Sequence, residues 1–295
     1  MEQILNKYRQ VLSYPDIQHG VNQVLANAQE LLTDDIKRQL FTFIDLTFLN
    51  TTDNHTFIRK MTEKVNQVSH KFGLDNVGGL CVYPRFVETV DKNLTDRNVR
   101  VVSVVGGFPA SQTFLEVKKL ETELAIRHGA NEVDMVISVG EFLDQNYQLV
   151  YDEVKALKEV CGNDAKLKVI LESGVLDDFA HIYKAAVLAM EAGADFIKTS
   201  TGKEKVGATP EAGYVMALAI KDYYDISGRR VGFKPAGGVS TSDKAVIYYA
   251  IVKELLGEDW LVPDLFRIGS SGLANKLLKE LVMTEEDFFS AKAGY

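Results

Sequence analysis

The feature that most restricts the fold of this chain is a cycle of short apolar segment, turn and helical segment, repeated eight times. The apolar segments are 41–45, 77–82, 99–105, 132–138, 167–172, 196–200, 231–234 and 265–269. They are apolar through most of their length rather than alternating, the pattern of strands whose outer face is covered by helices. The first helical segment puts Ile58, Met61, Val65 and Val68 on one face and ends at Gly73. Others are expected at 86–94, 113–128 (with Val117, Leu120 and Leu124 inward), 147–161, 177–191, 241–256 and 271–281; a further one is capped by Thr209 with Pro210 at its first position. Eight such units in residues 41–295 predict an α/β protein, a (β/α)8 TIM barrel. A doubly wound sheet is the competing arrangement, but its Gly-x-Gly-x-x-Gly fingerprint is missing after the first strand.

Residues 1–40 read as mostly polar helices, with Thr33 capping a short one from Asp34. The expected organisation is an N-terminal helical extension, 1–40, packed on a barrel of residues 41–295 that includes a C-terminal tail. The first ten residues lack the apolar core of a signal peptide, and no apolar run reaches membrane-spanning length. Cys81 and Cys161 are too few for a disulfide framework, so a reducing, cytoplasmic setting is expected. The net charge of -8 argues against nucleic acid as a partner but leaves room for a local basic pocket that holds a small anion.

In a parallel barrel the reactive groups gather at the carboxyl ends of the strands. Asp45 and Thr47, Cys81, Asp134, Lys168 and Glu172, Lys198 and Thr199, and Lys234 all fall in or near strands. Singly each has a plain explanation: a turn residue, a salt-bridge partner, a small core thiol. Two lysines in consecutive strands are harder to explain that way. One ammonium lowers the pKa of its neighbour, and a lysine held neutral is a nucleophile that forms a Schiff base with a carbonyl. Asp134 or Asp45 is suited to the accompanying proton transfer. Asp134 and Lys198 stand at the same offset from Gly129 and Gly193, which places them at equivalent depths in their units. The five histidines avoid the strand ends, so no metal site is expected. Gly202-Lys203, Gly237-Gly238 and Gly269-Ser270-Ser271-Gly272 follow strands six, seven and eight, where glycine-flanked amides and a helix start can hold a phosphate.

These segments carry a family likeness. Ile44 to Thr47, Cys81 to Arg85, Glu132 to Asp134, Lys168 to Glu172, Gly193 to Lys203, Gly232 to Gly238 and Phe266 to Gly269 resemble the deoxyribose-phosphate aldolases, a class I (Schiff-base) aldolase family. The resemblance implies a (β/α)8 barrel. It also implies a carbon–carbon lyase that reversibly cleaves 2-deoxy-D-ribose 5-phosphate to D-glyceraldehyde 3-phosphate and acetaldehyde without a cofactor, in deoxyribonucleotide catabolism. By that likeness Lys198 is the Schiff-base lysine, Lys234 perturbs it, Asp134 is the acid/base residue working through a water, and Asp45 supports the relay. Thr47, Cys81 and Thr201 fall at positions that line the substrate, with Lys203, Gly237, Gly238 and Ser271 at phosphate positions. Tyr295 corresponds to a C-terminal tyrosine that some members use to move the proton at the acetaldehyde methyl. The partner implied is a small phosphorylated sugar, with neither nucleic acid nor membrane, and a homodimer is compatible with barrels of this type. Gly272 stands where many members have a second serine, which removes one hydroxyl but keeps the amide. The competing readings are a Schiff-base aldolase for another phosphorylated sugar and a barrel that only binds phosphorylated metabolites.

Overall fold

The computed structural model describes residues 1–8, 13–176 and 178–290. The chain enters through helices α1 (Glu2–Leu5), α2 (Tyr14–Ala28) and α3 (Asp34–Thr42). The hydroxyls of Ser13 and Thr33 accept amide hydrogens from Asp16 and Ile36, capping α2 and α3. Strands and helices then alternate: β1 (Ile44–Thr47), α4 (His55–Phe72), β2 (Gly79–Val82), α5 (Val87–Asn93), β3 (Arg100–Val105), α6 (Leu115–Arg127), β4 (Glu132–Val136), α7 (Val139–Leu143), α8 (Tyr147–Cys161), β5 (Lys166–Ile170), α9 (Phe179–Glu191), β6 (Phe196–Lys198), α10 (Pro210–Ser227), β7 (Gly232–Lys234), α11 (Ser242–Leu256), β8 (Ile268–Ser270) and α12 (Leu273–Val282).

The eight strands pair in parallel in the order β7-β6-β5-β4-β3-β2-β1-β8. The two ends of that order meet through the parallel bridges Phe233↔Phe266 and Ala236↔Gly269. There the Arg267 amide donates to the Phe233 carbonyl at 3.1 Å and the Gly269 amide to the Pro235 carbonyl at 2.9 Å. The ring is thereby closed, and the fold is a (β/α)8 barrel. The N-terminal helices lie outside it. Gly20 of α2 meets Tyr214 of α10 so closely that a Cβ would stand 2.1 Å from the tyrosine oxygen. Gln29 donates to the Asp243 carbonyl at 3.2 Å. The Tyr8 hydroxyl donates to Glu191 at 2.6 Å, holding the start of the chain against α9.

Two expectations need correcting. The first strand does not begin at residue 41: Phe41 and Thr42 complete α3, whose buried side is Leu40 and Phe41, and β1 starts at Ile44. An apolar pair serves a helix face or a strand equally well, so the boundary was ambiguous in sequence. The second concerns α6. Val117, Leu120 and Leu124 are 49%, 53% and 38% exposed, and the inward residues are Lys118, Thr122 and Ala125. The inward polar side is satisfied: Lys118 donates to Ser138 and Glu153, each at 2.9 Å, and Thr122 to the Lys118 carbonyl. Periodicity located the helix, but the buried partners on neighbouring elements decided which face turned inward.

The strand register defines what fills the barrel. Eight strands with the usual shear advance by about one residue per strand, so a layer draws every second strand two residues further along. Following the pairing in this way stacks three layers of four. Nearest the carboxyl ends are Cys81, Asp134, Lys198 and Gly269. Below them lie Asp45, Val102, Lys168 and Lys234, then Gly79, Glu132, Phe196 and Arg267. Asp134 and Lys198 thus share a layer, as their equal offsets from two glycines suggested. Barrels normally fill these layers with branched aliphatic side chains. Here ionisable side chains occupy most of the space, and the main apolar core lies between the sheet and its helices.

Candidate active site

Each charged group in the barrel owes its place to strand alternation, which turns residues i and i+2 to the same face. Glu132 and Asp134 in β4, Lys166 to Ile170 in β5 and Phe196 to Lys198 in β6 follow that rule, so a lysine or carboxylate two positions from an inward residue also faces inward. Lys198 ends β6 and is directly paired in register with Lys234, which ends β7. The Lys198 ammonium donates to Asp134 Oδ2 at 2.8 Å, and Lys234 donates to the same oxygen at 2.7 Å. Lys234 also donates to Asp45 Oδ2. Lys168 donates to the other oxygen of Asp134 at 3.0 Å and lies 2.7 Å from Glu132. Arg267 bridges Asp45 and Glu132, donating to Asp45 at 2.5 Å and to Glu132 at 3.0 Å. All seven side chains are buried.

The environment separates the two lysines. Burial lowers the Lys198 pKa; Asp134 opposes this, and the Lys234 cation adds to it. Burial also works against the charge on Lys234, but Asp134 and Asp45 outweigh it and hold that pKa above the ordinary value. Burial likewise opposes the charges on Lys168 and Arg267, and their carboxylate neighbours again raise both. Asp134, despite its burial, is held well below the usual carboxylate range by Lys168, Lys198 and Lys234. Asp45 is held down in the same way by Lys234, Arg267 and Lys168. Lys168, Lys198, Lys234 and Arg267 therefore face Asp45, Glu132 and Asp134. Fully ionised, the set carries one surplus positive charge in a buried setting, where an uncompensated charge is costly. Lys198 is the cation of this set whose pKa is lowered, by burial and by the neighbouring Lys234.

Lys198 also opens onto a cavity of about 240 Å³, and it is the member of this network that lines it. The other walls are Thr47, Leu49, Asn50, the loop Thr201-Gly202-Lys203, the turn Ala236 to Ser240, and Gly269-Ser270-Ser271. Gly202, Gly237 and Gly238 have φ of +75°, +85° and +83°. A side chain at Gly237 would strike the Gly207 backbone at 2.9 Å. Glycine is needed there so that backbone amides can line the cavity. Ser270 accepts the Leu273 amide at 3.1 Å and so starts α12 beside the cavity. Lys203 reaches across the mouth to donate to the Leu49 carbonyl.

The remaining sequence candidates fall as follows. Thr47 lines the cavity while its hydroxyl donates to the Asp45 carbonyl at 2.8 Å. Thr201 lines it too, with its hydroxyl on Glu172 at 2.6 Å. Cys81 lies behind Lys198 in the uppermost layer, fully buried, and burial raises its pKa to about 11. Tyr295 lies outside the described residues. Sequence reading assigned no part to Glu132 and Arg267, and noted Lys168 and Glu172 without giving them a role. The signal was present: a charge within an apolar strand, two positions from another inward residue.

The fold and this centre define a barrel enzyme with a buried lysine beside an anion-sized, glycine-rimmed cavity. Residues 40–253 match the family model described as DeoC/LacD family aldolase. The deoxyribose-phosphate aldolase of Mus musculus is 41% identical over 81% of this chain and 79% of its own length. That of Homo sapiens is 40% identical over the same shares. In structure, the deoxyribose phosphate aldolase of Aeropyrum pernix superposes with a TM-score of 0.69 at 24% identity, covering 92% of this chain and 100% of that one, a likeness of fold. The chain belongs to the DeoC/LacD aldolase family.

Proposed function

We propose that the protein cleaves 2-deoxy-D-ribose 5-phosphate reversibly to D-glyceraldehyde 3-phosphate and acetaldehyde, through a Schiff base on Lys198. The observation that carries this reading is the position of Lys198: a lysine of lowered pKa, the surplus cation of a buried network, opening onto a glycine-rimmed cavity. The names of the mouse and human relatives support the substrate.

The chemistry follows from the charge balance. The phosphate rests on the rim made by Lys203, Gly237, Gly238 and Ser271 and brings the open-chain aldehyde to Lys198. The neutral amine adds to C1, and loss of water from the carbinolamine gives a cationic iminium. This restores the surplus positive charge beside Lys234. The iminium draws in the electron pair of the C2–C3 bond as the C3 hydroxyl loses its proton. Glyceraldehyde 3-phosphate departs, and the neutral enamine that remains rebalances the network. Asp134, with Asp45 and Lys234 behind it, passes protons through a water at each stage. Protonation at C2 and hydrolysis free acetaldehyde and the amine. Tyr295 is assigned the C2 proton transfer. The described chain ends at Ser290, whose carbonyl accepts from Lys64 of α4 at 3.0 Å.

Residues 1–40 act as a packing extension of the barrel. A homodimer is the proposed assembly, supported by the exposed apolar row on α6. Among the described residues no helix is long and apolar enough to cross a membrane. A reducing cytoplasm suits the two free, buried cysteines.

The test is borohydride reduction in the presence of deoxyribose 5-phosphate, followed by peptide mass mapping. A reduced adduct on Lys198 is expected. An adduct on another lysine, or turnover with no adduct at all, overturns the mechanism.

A further inference from the structure

One buried acid outside the lysine network is held in an unusual way. Glu172 follows β5 and has φ of +56°, the left-handed region that residues with a side chain seldom occupy. It is 3% exposed. Its carboxylate takes two donors from one residue: the Thr201 amide at 3.2 Å and 3.3 Å to its two oxygens, and the Thr201 hydroxyl at 2.6 Å. The same hydroxyl then accepts the Lys203 amide at 3.1 Å. The chain Glu172–Thr201–Lys203 thus runs from the end of β5 to the cavity wall. Neighbouring contacts repeat the link between these loops. Ser173 donates its amide to the Thr199 carbonyl at 2.9 Å. Gly174 lies so close to Val206 that a Cβ would stand 2.1 Å from its carbonyl oxygen.

We infer that Glu172 is a positioning residue for phosphate recognition, setting the Thr201-Gly202-Lys203 wall of the cavity through the hydrogen bonds it accepts from the Thr201 amide and hydroxyl. The inference rests on the phosphate site proposed above. The donor arithmetic explains why the residue is an acid. Thr201 presents an N–H and an O–H side by side, and a carboxylate accepts both. A glutamine offers one acceptor and one donor, so its NH2 faces a donor or forces the hydroxyl to turn. If the hydroxyl turns, the lone pair aimed at the Lys203 amide turns with it. Burial raises the Glu172 pKa, in keeping with an acid kept for its neighbours rather than for solvent.

The experiment compares wild type with Glu172→Gln and Thr201→Val on deoxyribose 5-phosphate and on unphosphorylated 2-deoxyribose. Wild type is expected to prefer the phosphorylated sugar strongly; absence of that preference removes the phosphate site itself. Given that preference, Glu172→Gln is expected to raise KM for the phosphorylated sugar about tenfold, as for a lost charge-assisted hydrogen bond, with kcat nearly unchanged. Its kcat/KM on the unphosphorylated sugar should stay within about twofold of wild type, since rim contacts are not used there. Thr201→Val, which keeps the backbone and removes the hydroxyl, should raise KM for the phosphorylated sugar by a similar factor and add little when combined with Glu172→Gln. It also provides the reading if Glu172→Gln does not fold. Equal losses on both sugars, a fall in kcat alone, or fully additive effects of the two substitutions overturn the inference.

Discussion

Lys198 and Lys234 are register partners on adjacent strands, and their ammonium nitrogens share one carboxylate oxygen, Asp134 Oδ2, at 2.8 Å and 2.7 Å. Their difference lies in the second partner. Lys234 has Asp45 as well, whereas Lys198 has the cavity. The pKa of Lys234 is accordingly raised and that of Lys198 lowered.

Lys234→Leu removes the cation that helps to lower the Lys198 pKa. The Lys198 amine then holds its proton to higher pH, so less of it is nucleophilic at neutrality. A fall in kcat/KM of about a hundredfold at pH 7 is expected, partly recovered as pH rises. The acid limb of the pH–rate profile should move to higher pH. Near-normal activity at neutral pH would contradict the role given to Lys234.

Asp134→Asn separates basicity from proton transfer. Asp134 raises the Lys198 pKa, so its loss lowers that pKa further and leaves the amine neutral. Turnover should nevertheless fall by at least about a hundredfold, because the relay loses its carboxylate. Borohydride trapping should slow to match. An unchanged trapping rate would confine Asp134 to steps after the iminium.

Arg267 holds Asp45 and Glu132 from below and does not line the cavity. Arg267→Met leaves two buried carboxylates short of a partner, at a cost of ~3 kcal/mol or more in denaturant unfolding. The pH dependence has a definite sign. Asp45 and Asp134 are depressed in the folded state, so their contribution is present above the unfolded carboxylate pKa of about 4 and is lost as pH falls. The variant should unfold at a higher pH than wild type on acid titration. An unchanged acid midpoint would show that Arg267 does not support Asp45.

Tyr295→Phe keeps the ring and removes the proton-carrying hydroxyl. Exchange of the acetaldehyde methyl protons with deuterated water, followed by NMR, should slow at least about tenfold while the Lys198 adduct still forms. Normal exchange would place that step with another group.

The row Val117, Leu120 and Leu124 on α6, with Phe114 just before the helix, tests the assembly. Leu120→Glu puts a charge in its centre and should shift sedimentation from dimer to monomer without loss of fold, since Leu120 is half exposed. A monomeric wild type, or a variant that stays dimeric, removes this face from the interface.

Much of this was legible in the chain. The strand cycle, the paired lysines of β6 and β7 and the glycine turns are local patterns, and local patterns survive in sequence. Glu132 and Arg267 were not assigned for a different reason. They lie 135 positions apart, and only closure of the barrel brings them together at 3.0 Å. The inward side of α6 was misread for a related cause. Lys118 is buried because Ser138 and Glu153, from two other elements, meet it there. The role of Glu172 needed its φ and its reach to Thr201, neither of which a residue letter carries.

The cavity rim and the barrel centre are built from different materials. The rim is largely main chain held in glycine conformations at Gly202, Gly237 and Gly238, on loops that project beyond the strands. The centre is side chains fixed by strand register. Substrate choice and bond-breaking power can consequently change independently: a new loop can accept another acceptor aldehyde while the proton balance stays intact. A substitution in the centre has no such freedom, because the groups proposed to break the carbon–carbon bond are also the filling of the barrel.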